Sequence, residues 1–369
     1  MTKRKLSFYT NIPTPYQDDF FTALSAYFNL TVIYYAYTEQ GRYWNSEAEK
    51  RPYTIVWLSE GRFTRWVQRW QKDYHSSFSI IRTAFLDDAD YVIVSGAYWI
   101  PNAITAMLVA RCQGKRVAFF GERLSGKQSG WQAALKRVLL GPLRISCTRI
   151  FAVGHEAAYT YKCFGISIPI TVVPYTINID RFAAKRQSTD TVTLLSSGSL
   201  IQRKGMDTVI QAVKALNSET YHHIRLQIIG DGPERMALQD LIGNDSRIEL
   251  TGFSDGDSLA DCFRKADAFV LASRYDGWGV VINEAIAAGL PVISSESVGA
   301  AREWIQHEVN GFICPPDDIN AFREAIRRVV DEPQLRQQQS VFNAQFKHQT
   351  SSAHYARIVY QTILTDLRL

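Results

Sequence analysis

A four-residue apolar run, Ala268-Phe269-Val270-Leu271, leads into a polar loop holding Asp276, Gly277, Trp278 and Gly279. A run rich in small residues follows (Ala285, Ala287, Ala288) and stops at Gly289, with Pro291 just beyond. The first run has strand length, and glycine past the end with proline soon after is a helix stop. Val292-Ile293-Ser294 then reads as another strand. This is one strand–loop–helix–strand unit of a parallel sheet, and its glycine-rich loop lies at the carboxyl end of a strand. In open α/β sheets, ligands bind there. Gly277 and Gly279 expose backbone N–H groups without side-chain obstruction, and such groups at a helix start suit phosphates or sugar hydroxyls. Asp276 and Glu284 add two carboxylates, each able to accept from hydroxyls on different parts of one ligand. The plainer alternative for Glu284 is a solvated helix residue, but small apolar residues follow it.

The same alternation runs through the chain. Strands are predicted at 5–9, 30–35, 91–95, 116–120, 149–153 and 171–174, then at 191–196, 225–229, 247–251, 268–271 and 292–294. Helical stretches lie between them, including one from Gln17, one over 207–216 and a last one from about Ser351. Strands separated by helices imply doubly wound parallel sheets. A length of 369 residues suggests two domains, with 46% hydrophobic and 21% charged residues in the globular range. The polar, aperiodic segment 181–190 reads as a linker between a domain over 1–180 and one over 191–345. No run of eighteen apolar residues exists, and the apolar stretch after the basic start is too short for a secretory signal. Five scattered cysteines without a CxxC spacing suggest reduced thiols and a cytoplasmic setting.

The segment 276–293 resembles the donor-site signature of glycosyltransferase family 4, retaining enzymes of GT-B fold. That signature has an acid, seven residues and a Glu, with Gly-aromatic-Gly inside and Glu-Ala…Ala-Gly-x-Pro-Val after. Asp276 stands here where the first Glu is usual, and Glu284 is the second. Further matches are Gly198-Ser-Leu-Ile-Gln-Arg-Lys-Gly205, Gly230-Asp-Gly-Pro233, Gly252-Phe253 and Asn310-Gly311-Phe312. The resemblance implies an α/β chain of GT-B fold, two doubly wound Rossmann-like domains facing across a cleft, with 346–369 crossing back to the first. It implies that Glu284 holds the nucleotide ribose. Asp276 and the backbone of Gly277, Trp278, Gly279 and Val280 would hold the transferred sugar. Gly198, Gly232 and Phe253 would shape the nucleotide site. The family's first basic position is Ser199 here, and Arg203 beside Lys204 supplies the second cation for the donor diphosphate. A surface Arg-Lys pair is the competing reading.

In the first half, Glu122 follows the 116–120 strand, where many relatives carry a sugar-contacting His. It could accept an acceptor hydroxyl proton or orient the sugar, against the alternative of a Glu122–Arg123 surface region. Asn11, Thr14 and Tyr16, in a proline-stiffened loop, and His155 are the acceptor-binding candidates. Asp88-Ala-Asp90 and Asp255-Gly-Asp257 fit solvated turns, so no metal and no cofactor are expected beyond a nucleotide-sugar donor, a UDP-hexose. Residues 1–180 carry 21 Lys and Arg against 13 Asp and Glu, a net +8, while 181–369 carry 20 against 23, a net −3. Two basic, aromatic stretches, 61–72 and 131–140, suit an anionic membrane surface or an ordinary packing helix. No nucleic-acid motif accompanies the charge. The expected activity is retaining transfer of a hexose to a saccharide or lipid-linked saccharide in surface polysaccharide synthesis, at the inner face of the plasma membrane. The alternatives are a disaccharide synthase of the same fold and a non-catalytic nucleotide-sugar-binding subunit.

Overall fold

The structure is a computed structural model that describes residues 3–38, 51–59, 61–71, 74–124, 126, 129–183, 190–254 and 256–368. The chain forms two units: Met1–Thr176 with Ser352–Leu369, and Ile177–Ser351. The first holds a seven-stranded sheet of β1 (Lys5–Thr10), β2 (Asn29–Tyr34), β3 (Thr54–Trp57), β4 (Tyr91–Ser95), β5 (Arg116–Gly121), β6 (Arg149–Ala152) and β7 (Ile170–Val172). Its strand order is β3-β2-β1-β4-β5-β6-β7. The second holds β8 (Val192–Ser197), β9 (Ile224–Ile229), β10 (Ile248–Gly252), β11 (Ala268–Leu271), β12 (Val292–Ser295) and β13 (Gly311–Cys314), in the order β10-β9-β8-β11-β12-β13. The pairings in both sheets are parallel.

Burial explains this order. Every residue of β4 and of β11 is buried, as a parallel sheet covered by helices on both faces requires of its central strands. The edge strands β3 and β7 are largely half-buried. Each sheet grows outward from its first strand and then restarts on that strand's other side. The two reversals, between β1 and β4 and between β8 and β11, are the places where an open α/β sheet leaves a crevice for ligand.

In the first unit, one face of the sheet packs Val92, Val94 and Phe119 with Ala103, Ala106 and Met107 of the Pro101–Cys112 helix. The other face is aromatic, with the Phe8 and Phe21 rings edge-on at 4.8 Å. The Pro15–Ser25 helix packs there against the closing helix, Ser352–Asp366. An ion pair pins that closing helix. Arg149 donates from Nε and Nη2 to Asp366 Oδ2 and Oδ1 at 2.7 and 2.5 Å, and Tyr91 Oη donates to Oδ2 at 2.7 Å. Burial, and then the Asp366 charge, push the Tyr91 hydroxyl pKa up.

The strands expected from the sequence are present within a residue or two, and β3 and β13 are additional. The first unit closes at Thr176 rather than 180, and residues 346–351 stay with the second unit. Most of the expected linker, 184–189, lies outside the described residues, as do Asp255 and Lys72. The five cysteines are free thiols, and burial pushes that of Cys314 up to about 12.

The Arg149 and Asp366 side chains are only 15% and 11% exposed. Removing the carboxylate strands a guanidinium, so Asp366→Ala should cost about 2–4 kcal/mol of first-unit stability. Tyr91→Phe should cost about 1 kcal/mol. Urea unfolding of the three proteins measures both.

Candidate functional site

All strands of the second sheet run the same way, so the loops after β10, β9, β8 and β11 emerge side by side at one end. These loops carry Phe253, Gly232, the Gly198–Gly205 segment and Asp276 respectively. Their backbones touch. Gly230 has φ +144°, and a Cβ there would collide with the Gly198 carbonyl oxygen. Gly205 has φ +64°, and its Cβ would collide with the carbonyl oxygen of Ala272. Only glycine combines that backbone conformation with so close an approach. The loops on either side of the switch point are thus in backbone contact.

Arg274 fastens the same two loops through its side chain. Nη1 and Nη2 donate to the Asp207 carboxylate at 3.1 and 2.7 Å, and Nε lies 2.8 Å from Asp317 Oδ1. Nη1 also donates to the Gln202 carbonyl, and the Arg274 N–H donates to the Arg203 carbonyl at 2.9 Å. Held from both ends, the 202–205 turn presents its two cations to Asp276. Lys204 Nζ donates to Asp276 Oδ2 at 2.5 Å, with both side chains 13% exposed. Arg203, more exposed, donates to the Tyr275 carbonyl at 2.5 Å and lies 3.8 Å from Asp276 Oδ1. Asp276 therefore faces both basic residues. Glu284 sits half-buried in the first turn of the Val281–Ala287 helix, which Gly279 and Val280 introduce.

The Trp278 side chain faces inward. Its indole is buried, donates to Asn283 Oδ1 at 3.2 Å, and meets Trp304 edge-on at 6.2 Å. The side chain packs the loop from beneath, and residue 278 has its backbone to offer a ligand. Phe253 and Gly198 are at least partly exposed, and Gly232 donates its N–H to Asp231 Oδ1 at 2.8 Å.

The first-unit candidates separate into two groups. Glu122 is exposed at the end of β5 and accepts from Tyr175 Oη at 2.8 Å. The Tyr175 ring lies 4.9 Å from that of Tyr16. Together they border a small hollow with Gln17, Phe20 and Phe120. Tyr16 and Glu122, 106 positions apart in the chain, are thus joined through Tyr175. Thr14 is elsewhere: it is buried, and its hydroxyl accepts the Gln17 N–H at 3.4 Å as cap of the Pro15–Ser25 helix. That is the work of a capping residue, not of an exposed acceptor contact. The Asn11 carboxamide oxygen is buried against Gly96, where the loops after β1 and β4 meet. His155 is exposed, beside Glu156, which holds Arg123 at 2.9 Å.

Sequence reasoning missed Arg274, Asp207, Asp317 and Tyr175. Arg274 stands two residues before Asp276, which was its only local signal. Asp88 pairs with Lys5, and Asp90 accepts the Lys5 N–H at 3.0 Å, so that acidic string clasps the start of β1. Among the described residues, no group of three or more His, Cys, Asp or Glu is placed to hold a metal ion.

Residues 178–345 match the family described as Glycosyl transferases group 1. The chain is 33% identical over 176 residues to a glycogen synthase of Mycobacterium tuberculosis, covering 46% of this chain. It is 32% identical over 151 residues to a lipopolysaccharide core biosynthesis glycosyltransferase of Rhizobium meliloti, covering 40% of this chain. It spans 42% of the length of each relative. In fold it is similar to the Anabaena protein HepE, solved in complex with UDP, with a TM-score of 0.77 at 14% identity over 99% of this chain and 100% of that one. The fold is GT-B, built from two Rossmann-like parallel-sheet domains.

Gly230→Ala should destabilise the second unit by about 3 kcal/mol or more, from left-handed strain plus collision with a carbonyl. Gly114 also has positive φ, +77°, but nothing lies within contact distance of a Cβ there. Gly114→Ala should therefore cost only about 1 kcal/mol. Thermal unfolding distinguishes the two, and equal losses would contradict backbone stacking at Gly198.

Proposed function

We propose that this chain is a retaining glycosyltransferase. It moves a hexose from a UDP-hexose to a saccharide or lipid-linked saccharide, in surface polysaccharide synthesis at the inner face of the plasma membrane. The observation that carries the reading is the Arg203–Lys204–Asp276 group at the switch point of the second sheet, with Glu284 at the following helix start. The matches to a glycogen synthase and to a lipopolysaccharide glycosyltransferase support transfer to a saccharide.

The geometry suggests an exchange of anions. Without donor, Asp276 neutralises Lys204, which would otherwise be a largely buried unpaired charge. A donor diphosphate arriving between Gly198 and Lys204 takes over that role, and Arg203 adds a second positive charge. Both cations then stabilise the charge that grows on the UDP leaving group as the glycosidic bond breaks. Asp276, released from Lys204, becomes an acceptor for a hexose hydroxyl. Glu284 accepts from the ribose hydroxyls. In the first unit, Tyr175 orients the acceptor hydroxyl and the Glu122 carboxylate receives its proton. Neither a cofactor nor a metal ion takes part in this scheme.

A panel of nucleotide hexoses tests the activity. With the correct UDP-hexose, slow hydrolysis should release a hexose of the donor's own anomeric configuration, seen by proton NMR before mutarotation. An inverted product overturns the retaining assignment. Tight UDP binding without turnover of any donor and acceptor points instead to a nucleotide-sugar-binding subunit.

Calorimetry with UDP in excess EDTA tests the site. Binding should persist in chelator. Glu284→Ala should weaken it by about 1.5–3 kcal/mol, as for hydrogen bonds to a charged group. Asp276→Ala should not weaken UDP binding, because UDP then meets no competing carboxylate at Lys204, and should weaken discrimination among donor hexoses. Equal loss in both variants would show that the two acids do not divide the donor between them.

A further inference from the structure

The helices over one face of the first sheet are apolar on the wrong side. The Trp131–Leu139 helix buries its small Ala133, while Trp131 and Val138 are 73% and 71% exposed and Leu135 is exposed between them. These three stand at i, i+4 and i+7, one stripe along one side. The Ser79–Leu86 helix repeats the inversion, with Ile80 and Ala84 inward and Ile81 and Phe85 exposed. Trp66 and Trp70 meet edge-on at 5.0 Å, both exposed. Ile80, Ala84, Ala133 and Leu143 share one core cluster with the Pro101–Cys112 helix, so the Ser79–Leu86 and Trp131–Leu139 helices belong to one layer with it. A globular chain ordinarily buries its large apolar side chains and exposes them only singly.

The charge of this layer is as one-sided as its polarity. Residues 79–86 and 101–112 hold one Arg each, and 131–146 three Lys or Arg; none of these segments holds an Asp or Glu. Arg82 and Arg137 are exposed among the apolar side chains, whereas Lys136 folds back over the Phe164 ring at 5.2 Å. Trp and Phe beside Arg, with no carboxylate, is the chemistry that inserts into the headgroup region of an anionic bilayer.

We propose that this helix layer is a docking surface for an anionic lipid bilayer. Tryptophan and phenylalanine reach the acyl boundary, and the arginines stay at the level of the lipid phosphates. The inference would bring a lipid-linked acceptor to the enzyme proposed above, but it is measured without donor or acceptor, so either can fail alone.

The experiment is co-sedimentation of the full chain with vesicles of equimolar phosphatidylglycerol and phosphatidylcholine, against phosphatidylcholine alone, at low and raised salt. Wild type should bind the anionic vesicles at low salt and release as salt screens the charges. The Arg82→Gln/Arg137→Gln double variant should bind at least about tenfold more weakly. The Trp131→Ser/Val138→Ser variant should lose binding at either salt, with an unchanged thermal midpoint, since both positions are solvent-facing. Wild type remaining in the supernatant with anionic vesicles at low salt overturns the proposal. So does wild-type binding by both variants. Light scattering that shows a dimer, made monomeric by Trp131→Ser and indifferent to vesicles, would assign the layer to a second copy of this chain instead.

Discussion

The grip of Arg274 on Asp207, Asp317 and the Gln202 carbonyl is the interaction on which the second unit's site depends. It ties the loop after β8 to the loop after β11 across the switch point. Two glycines let those loops approach backbone to backbone. With the turn held, Lys204 and Arg203 point to one place, and a single carboxylate, Asp276, occupies them. A flexible loop bearing the same residues would spread its charge over solvent and leave the ordering cost to the ligand.

This arrangement also explains how a cationic site stays stable before a ligand arrives. Asp276 is the resting counter-charge of Lys204, and it stands on the loop that a transferred group would touch. Discharging the cation and freeing the carboxylate become one event in the proposed reaction. Glu284, one helical turn further on, takes no part in that exchange, which is why the two acids are assigned different ends of the donor.

The first unit spends its polarity differently. Its aromatic face, around Phe8 and Phe21, is closed by the final helix through Arg149 and Asp366. Its other face is covered by helices that hold the sheet with alanines and turn tryptophan, leucine and phenylalanine outward. Small residues suffice to pack helix on sheet closely. Large ones facing outward add nothing to that packing, so they answer to something outside the described fold.

The sequence by itself determined the elements that are locally encoded. The apolar runs of β4 and β11, the helix stop at Gly289 and Pro291, and the glycine-rich loops were legible because strand length, helix period and turn chemistry are properties of neighbouring residues. It also indicated Asp276, Glu284, Arg203 and Lys204, whose spacing along the chain carries their chemistry. The edge strands β3 and β13, four residues each, escaped notice because runs so short do not by themselves distinguish a strand from a loop. Tertiary structure alone decided the rest. Arg274 finds Asp207 and Asp317 across 67 and 43 positions, and Glu122 meets Tyr16 through Tyr175 only once β5 and β7 share a sheet. Trp278 turns inward because Trp304 and Asn283 wait there, and Thr14 is spent as a helix cap. Such choices depend on which side chains the sheet order brings together, and no local pattern records that order.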